Sequence, residues 1–224
     1  MIEVDHVSHS YGERVVLRDV DVRLPERRVG VIGANGSGKS TFVRLLNGLV
    51  LPTEGRVRVN GLDTRRDGRA VRRQVGFCFT NPDAQIVMPT VREDVAFGLR
   101  RRRMTGTERD ALVRGVLARF ELADHADHPA HLLSGGQKQL LALAAVLVTD
   151  PSVLVLDEPT TLLDLRNARK VAGYLDGLDQ QVVLVTHHLE LLEGFDRVLV
   201  FDEARLVHDS TPDDAVAFYR KLMA

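Results

Sequence analysis

The chain has 224 residues with 44% hydrophobic and 27% charged side chains, long enough for one sizeable core or for one domain carrying a subdomain. A formal net charge of −1 excludes a global field for attracting nucleic acid, so the arginines at 100–103 and at 65, 66, 69, 72 and 73 read as solvated faces or a docking rim. The single cysteine, Cys78, excludes an internal disulfide and reads as a buried strand residue of a reducing compartment, with no metal or redox role.

In chain order, Met1 to Val7 alternates apolar and polar residues like a strand and lacks the apolar core of a signal peptide, which points to the cytoplasm. Strands are predicted over about 2–8 and 14–24, with Tyr11-Gly12 at the turn between them, as a small antiparallel sheet. The apolar run Val29 to Ile32 then leads through Gly33-Ala34-Asn35-Gly36-Ser37-Gly38-Lys39-Ser40 into a helix from Thr41 to Leu46. Gly55 to Val59 and Gln74 to Phe79 read as strands, separated by a polar, Arg-rich connection from Asp63 to Arg73. From Thr90 to Val148 the spacing is helical, with Val91, Val95 and Leu99 on one face and Leu112, Val116 and Phe120 on another. Leu140 to Leu156 is apolar enough to suggest a membrane span, but Thr149-Asp150-Pro151 divides it into a helix and a strand. Val153 to Leu156 and Val182 to Val185 lack alternation, as central parallel strands buried on both faces do, and a crossover helix from about Leu165 to Leu175 joins them. A hairpin built on Val198 to Phe201 and Leu206-Val207, then a helix opened by Thr211-Pro212, closes the chain.

Three segments carry chemistry. Between a strand and a helix, glycines at 33, 36 and 38 let backbone N–H groups turn inward around phosphates, while Lys39 reaches the β- and γ-phosphates and the Ser40 hydroxyl holds Mg²⁺. This predicts binding of a nucleoside triphosphate. Asp157-Glu158 ends a buried strand, where open α/β sheets bind ligands; Asp157 suits the Mg²⁺ shell and Glu158 suits a base that orients and polarises attacking water. Leu133-Ser134-Gly135-Gly136-Gln137 opens a helix that Ser134 caps, giving a second anion site in the same chain. Two such sites are reconciled by a two-fold dimer, each ATP lying between the phosphate loop of one subunit and the Ser134 helix of the other.

The phosphate loop, Leu133 to Gln137, Asp157-Glu158 and His187 together resemble an ATP-binding cassette (ABC) ATPase over essentially the whole chain. The resemblance implies an α/β P-loop NTPase core with an antiparallel β subdomain and a helical subdomain at about 85–150, all in one domain, 1–224. It further implies that Tyr11 stacks on adenine, that Thr41 adds a phosphate contact, that Ser134, Gly135, Gly136 and Gln137 serve the partner's nucleotide, that His187 senses the γ-phosphate, and that Asp164 lies at the dimer seam. The chain departs from the family pattern at Leu162, where Ala or Gly is usual, and at Thr80, where a glutamine is usual. Threonine is too short to span the same gap to Mg²⁺ and water, leaving a bridging water, Asn81 or Gln85 to compensate.

Asn81 to Gln85 followed by Thr90 to Phe97 is similar to the ATPases of energy-coupling-factor (ECF) importers of vitamins and metal ions. Thr80 to Asp83 and the His187-His188 pair resemble the biotin branch, with cobalt and nickel branches as alternatives. The resemblance implies a homodimer or paired ATPase at the cytoplasmic face of the membrane, with a transmembrane coupling subunit and a substrate-binding membrane subunit as partners, and no nucleic acid. Asp83, Gln85, Glu93 and Asp94 are expected to form the acidic surface that docks onto basic helices of the partner. A nucleic-acid-linked clamp of the same superfamily is the rival reading, but it requires a long coiled coil between Thr80 and Leu133, and no sustained heptads occur there. His125, His128 and His131 have a metal-like spacing but no obvious fourth ligand and read as surface or packing residues.

Overall fold

The computed structural model describes residues 1–161 and 163–224. They form two units, one of Met1–Val75, Ser152–Glu158 and Asp179–Ala224, the other of Gly76–Pro151 and Pro159–Leu178.

The first unit contains two sheets. Strands β1 (Ile2–Tyr11), β2 (Arg14–Leu24), β4 (Glu54–Val59) and β5 (Leu62–Asp63) form an antiparallel sheet in the order β2-β1-β4-β5. The second has β3 (Arg28–Gly33), β7 (Val153–Asp157), β8 (Gln181–Val185) and β9 (Arg197–Asp202) as parallel neighbours in the order β9-β3-β8-β7, with β10 (Arg205–Ser210) antiparallel on β9. Every residue of β7 is buried, which is why its sequence shows no alternation. Helix α1 (Lys39–Leu46) follows the phosphate loop and buries Phe42 and Leu45, with the Phe42 ring 4.9 Å from that of Phe201 on β9. Helix α7 (Pro212–Leu222) covers Ile32, Val198 and Val200 with Ala215 and Val216. Removing a side chain of this size from water contributes about 1.5–3 kcal/mol.

The Arg-rich connection is not irregular throughout. It folds as α2 (Gly68–Gln74), anchored by the single buried residue Val71, which too few apolar neighbours accompany to produce a legible period. Thr211 stands at the N-cap of α7 in extended conformation but makes no side-chain cap bond, so Pro212 and the acidic residues at 213 and 214 mark that helix start.

The chain enters the second unit along β6 (Val75–Cys78). There α3 (Val91–Phe97), α4 (Gly106–Arg119), α5 (Gly135–Leu147) and α6 (Leu165–Asp176) supply the helices. Val91, Val95 and Leu99 are all fully buried, as their spacing predicts. On α4 the buried stripe is Val113 and Leu117, continued by Phe120, and Leu112 is 42% exposed. The helix is rotated by one residue from the expected face because Val113, Leu117 and Phe120 also keep i, i+4 and i+3 spacing. α5 ends at Leu147 and Asp150 adopts a positive φ of 49°, which turns the chain toward β7. Among the described residues no helix is long and apolar enough to cross a membrane. Between Thr80 and Leu133 the longest helix is the 14-residue α4, which leaves no room there for an extended coiled coil. Leu162, the first departure from the family pattern, lies outside the described residues.

Candidate nucleotide site

The phosphate loop sits at the C-terminal end of β3. A Cβ on Gly33 would come within 2.0 Å of the Phe201 carbonyl oxygen, and one on Gly38 within 2.4 Å of the Val16 carbonyl oxygen, so the loop can lie this close to its neighbours only without side chains there. Gly38 is the N-cap of α1 and supplies no side-chain cap, which leaves the capping of that helix end to a ligand. Lys39 is 5% exposed, and its Nζ donates to the carbonyl oxygens of Gly33 and Ala34, each at 2.8 Å. Burial pushes the Lys39 ammonium down from its ordinary pKa, opposed by the charges of Glu158 and Asp157. A charge so placed is stabilised by an anion entering the loop. Ser37 is 3% exposed with a buried Oγ that has no hydrogen-bond partner among the described residues.

A cavity of about 260 Å³ gathers Tyr11 with Asn35, Gly36, Gly38, Lys39, Ser40 and Thr41 of the loop and with Glu158. Tyr11 is 50% exposed and held edge-on to His9, ring centroids 4.7 Å apart, so one face of its ring is available to an aromatic ligand. Arg14 and Val16 line the same cavity and were not anticipated. The signal was their place on the strand that pairs with Tyr11, since Arg14 lies opposite Tyr11 in the register of β1 and β2.

Ser40 Oγ donates to Asp157 Oδ1 at 2.9 Å, bringing together two hard oxygens of the kind Mg²⁺ takes. Asp157 is 1% exposed, and its Oδ2 also pairs with Arg44 Nη2 at 3.3 Å, a partner the sequence did not announce. Burial pushes its carboxyl up from the usual range, while the Ser40 hydroxyl and the Arg44 charge oppose the shift. Glu158 has a positive φ of 54°, and its N–H donates to the Val185 carbonyl at 3.0 Å, turning the side chain off the strand end. His187 Nε2 lies 2.8 Å from Glu158 Oε1, and because a carboxylate only accepts, Nε2 carries the proton of that bond. His187 itself lines a separate cavity of about 520 Å³ with Leu189 and Arg220 and reaches the nucleotide cavity through Glu158.

In the second unit Ser134 caps α5 by a complete capping box: its Oγ accepts from Gln137 N at 3.3 Å and Gln137 Oε1 accepts from Ser134 N at 2.9 Å. The Gln137 amide thus turns back onto the helix start, and its Nε2 lies 3.0 Å from His125 Nε2. Gly135 faces open space, whereas a Cβ on Gly136 would meet the Asn167 amide at 2.7 Å, so the two glycines have different reasons to be glycine. Asp164 caps α6, accepting from Asn167 N at 2.8 Å.

The histidines at 125, 128 and 131 are surface or packing residues, as their sequence context predicts: His125 is half-buried against Gln137 and edge-on to His128, and His128 and His131 are exposed. Of the residues expected to compensate for Thr80, the Gln85 amide bridges Phe79 N and the Ala142 carbonyl, and Asn81 Oδ1 accepts from Asp83 N. The expected acidic docking surface is corrected at Asp94, which is buried, while Asp83 and Glu93 are exposed. Asp94 is 4% exposed and accepts from Val87 N and Met88 N at 2.8 and 3.0 Å, Glu93 closes a capping box on Thr90, and Asp83 pairs with Lys138 at 2.7 Å. Burial pushes the Asp94 carboxyl up, against those two N–H donors. Burial likewise pushes the Cys78 thiol up to about 12, in keeping with an inert core cysteine.

A glycine loop between a parallel strand and a helix, a buried lysine folded onto it and an Asp-Glu pair at the end of a nearby parallel strand define a P-loop nucleoside-triphosphate-binding protein. The model of the ABC transporter family matches residues 17–161, and the chain belongs to that family, whose activity is ATP hydrolysis. A Deinococcus radiodurans protein, provisionally named an ABC transporter ATP-binding protein, is 56% identical over 223 residues, covering 100% of this chain and 99% of its own. The biotin transport ATP-binding protein BioM of Rhizobium etli is 49% identical over 223 residues, with the same coverage. The energy-coupling factor transporter ATP-binding protein EcfA1 of Caldanaerobacter subterraneus is 38% identical, covering 96% of this chain and 82% of its own. Among solved structures, cbiO1 of Clostridium perfringens, part of the ABC transporter complex cbiONQ, superposes with a TM-score of 0.86 at 29% identity, covering 99% of this chain and 93% of that one. The ATP-binding cassette MJ0796, a dimer in a post-hydrolysis state bound to ADP and Pi, gives 0.83 at 29% identity, covering 95% and 99%.

Proposed function

We propose that the chain is the ATP-hydrolysing subunit of an ECF-type importer, that biotin is the cargo, and that it works as a nucleotide-sandwich dimer of one ABC ATPase domain per chain. The observation that carries the catalytic part is the Glu158–His187 pair beside the phosphate loop. Full-length likeness to BioM supports the cargo, and likeness to EcfA1 supports the ECF type. The partners are then a transmembrane coupling subunit and a substrate-binding membrane subunit, with the ATPase at the cytoplasmic face.

In this reading Tyr11 stacks on adenine, the loop from Gly33 to Thr41 holds the phosphates, and Lys39 exchanges its two carbonyl acceptors for phosphate oxygens. Ser40 and Asp157 fit Mg²⁺ by donor type and spacing, and the ion supplies charge neutralisation of the phosphates. Glu158 accepts a proton from the attacking water, and His187 holds the carboxylate in one orientation by its Nε2–H bond. Ser134 and Gly135 present the start of α5 to the nucleotide of the partner copy. Co-expression with a biotin importer's membrane subunits tests the assignment: biotin-stimulated ATP hydrolysis in the reconstituted complex is expected. Hydrolysis that ignores biotin but responds to cobalt or nickel overturns the cargo and leaves the ATPase.

A further inference from the structure

Arg14 opens β2 directly across from Tyr11 in antiparallel register. Its side chain lines the cavity that holds Lys39 and Thr41, and its Nη2 lies 3.9 Å from where a Cβ on Gly36 would stand, so the guanidinium overhangs the middle of the phosphate loop. Several arginines of this unit pair with carboxylates: Arg44 with Asp157, Arg56 with Asp63, Arg58 with Glu3 and Asp5, Arg197 with Glu26 and Asp209. Arg14 makes no side-chain hydrogen bond or ion pair among the described residues. It is a planar fork of donors facing a cavity whose other cation among the described residues is Lys39.

We propose that Arg14 binds the phosphate chain of the nucleotide, clamping it from the Tyr11 side while Lys39 holds it from the loop. A nucleotide whose base lies on Tyr11 and whose terminal phosphates lie in the loop must run its ribose and inner phosphates past the space between them. Arg14 borders that space from the strand opposite Tyr11. A guanidinium that is already exposed gives up little hydration to reach a phosphate, and the bidentate geometry it offers is one that lysine cannot reproduce. The inference rests on reading the cavity as the nucleotide site.

The test is equilibrium binding of ATP, ADP and adenosine, by competition with a fluorescent nucleotide at low and high salt. The proteins are the full chain and its Arg14→Gln, Arg14→Lys, Lys39→Ala and Tyr11→Ala variants, with thermal melts confirming that each is folded. Arg14→Gln is expected to weaken ATP and ADP about tenfold and adenosine less than twofold, and to flatten the salt dependence of the ATP affinity. Arg14→Lys should recover part of the loss. ATP affinity within twofold of the unaltered chain in Arg14→Gln, or an equal loss for ATP and adenosine, overturns the clamp. If Lys39→Ala and Tyr11→Ala weaken ATP binding while Arg14→Gln does not, this inference alone falls; if none of the three weakens it, the nucleotide reading of the cavity falls with it.

Discussion

Replacing Glu158 by glutamine removes a charge and almost nothing else. Glutamine has the same length, keeps an amide oxygen to accept the 2.8 Å bond from His187 Nε2, and occupies the same left-handed backbone conformation at φ 54°. The strain of that conformation, roughly 1 kcal/mol for a non-glycine residue, is unchanged, so the melting temperature should not move. What is lost is a base that takes a proton from water, a contribution of about 10²–10⁴ in rate, equivalent to roughly 3–5 kcal/mol of barrier. ATP binding should be retained, because the phosphates no longer face a carboxylate. Glu158→Gly sharpens the point, since relief of about 1 kcal/mol of backbone strain offsets about 1 kcal/mol from the lost His187 bond. That variant should melt near the parent temperature and still fail to hydrolyse ATP. Phosphate release under multiple turnover, read beside equilibrium nucleotide binding, measures both effects. Turnover of Glu158→Gln within threefold of the parent would remove Glu158 from the role of base.

Glu158→Gln with ATP should sediment as a dimer that dissociates when nucleotide is withdrawn, and adding Ser134→Arg should abolish it; a dimer that survives refutes the sandwich. Asp94→Ala leaves the N–H groups of Val87 and Met88 without their acceptor and should cost about 2–4 kcal/mol in denaturant unfolding, whereas Asp94→Asn, which keeps an accepting oxygen, should cost less than about 1 kcal/mol. Because burial raises the folded-state pKa of Asp94 above its unfolded value, its ionised form penalises the fold: the contribution is most favourable below the unfolded value and is lost as pH rises through the raised one. Asp94→Asn should erase that part of the pH dependence, and identical pH profiles for parent and variant would contradict the assignment. Ser40→Ala should raise the Mg²⁺ concentration for half-maximal hydrolysis about tenfold or more, since losing a ligand costs at least what losing a ligand's orienting partner does; an unchanged Mg²⁺ requirement would place the ion elsewhere.

Local backbone geometry was legible wherever residue type dictates it. Glycines at 33, 36 and 38 before Lys39, between an apolar run and a helix, mark an anion-binding turn, and Ser134 marks the start of the helix that it then caps. The unbroken apolar runs of β7 and β8 likewise declare strands buried on both faces. The stripe on α4 was misplaced by one residue because two apolar series share that helix and only packing chooses between them.

Side-chain partnership across distant segments was not legible. The acidic residues around Asp94 look like a charged surface in the sequence, yet the fold turns that carboxylate inward to hold the backbone at Val87 and Met88. Arg44 on Asp157 and Arg14 above the phosphate loop follow from which elements lie side by side, as does the bond between His187 and Glu158. The sequence by itself determined the phosphate loop, the capped Ser134 helix and the acidic strand end, because each is specified by residues within one turn of backbone. The tertiary structure alone decided which of those groups meet: β7 and β8 run parallel as neighbours, so the residues just past their C-terminal ends, Glu158 and His187, emerge on the same edge of the sheet within hydrogen-bonding distance.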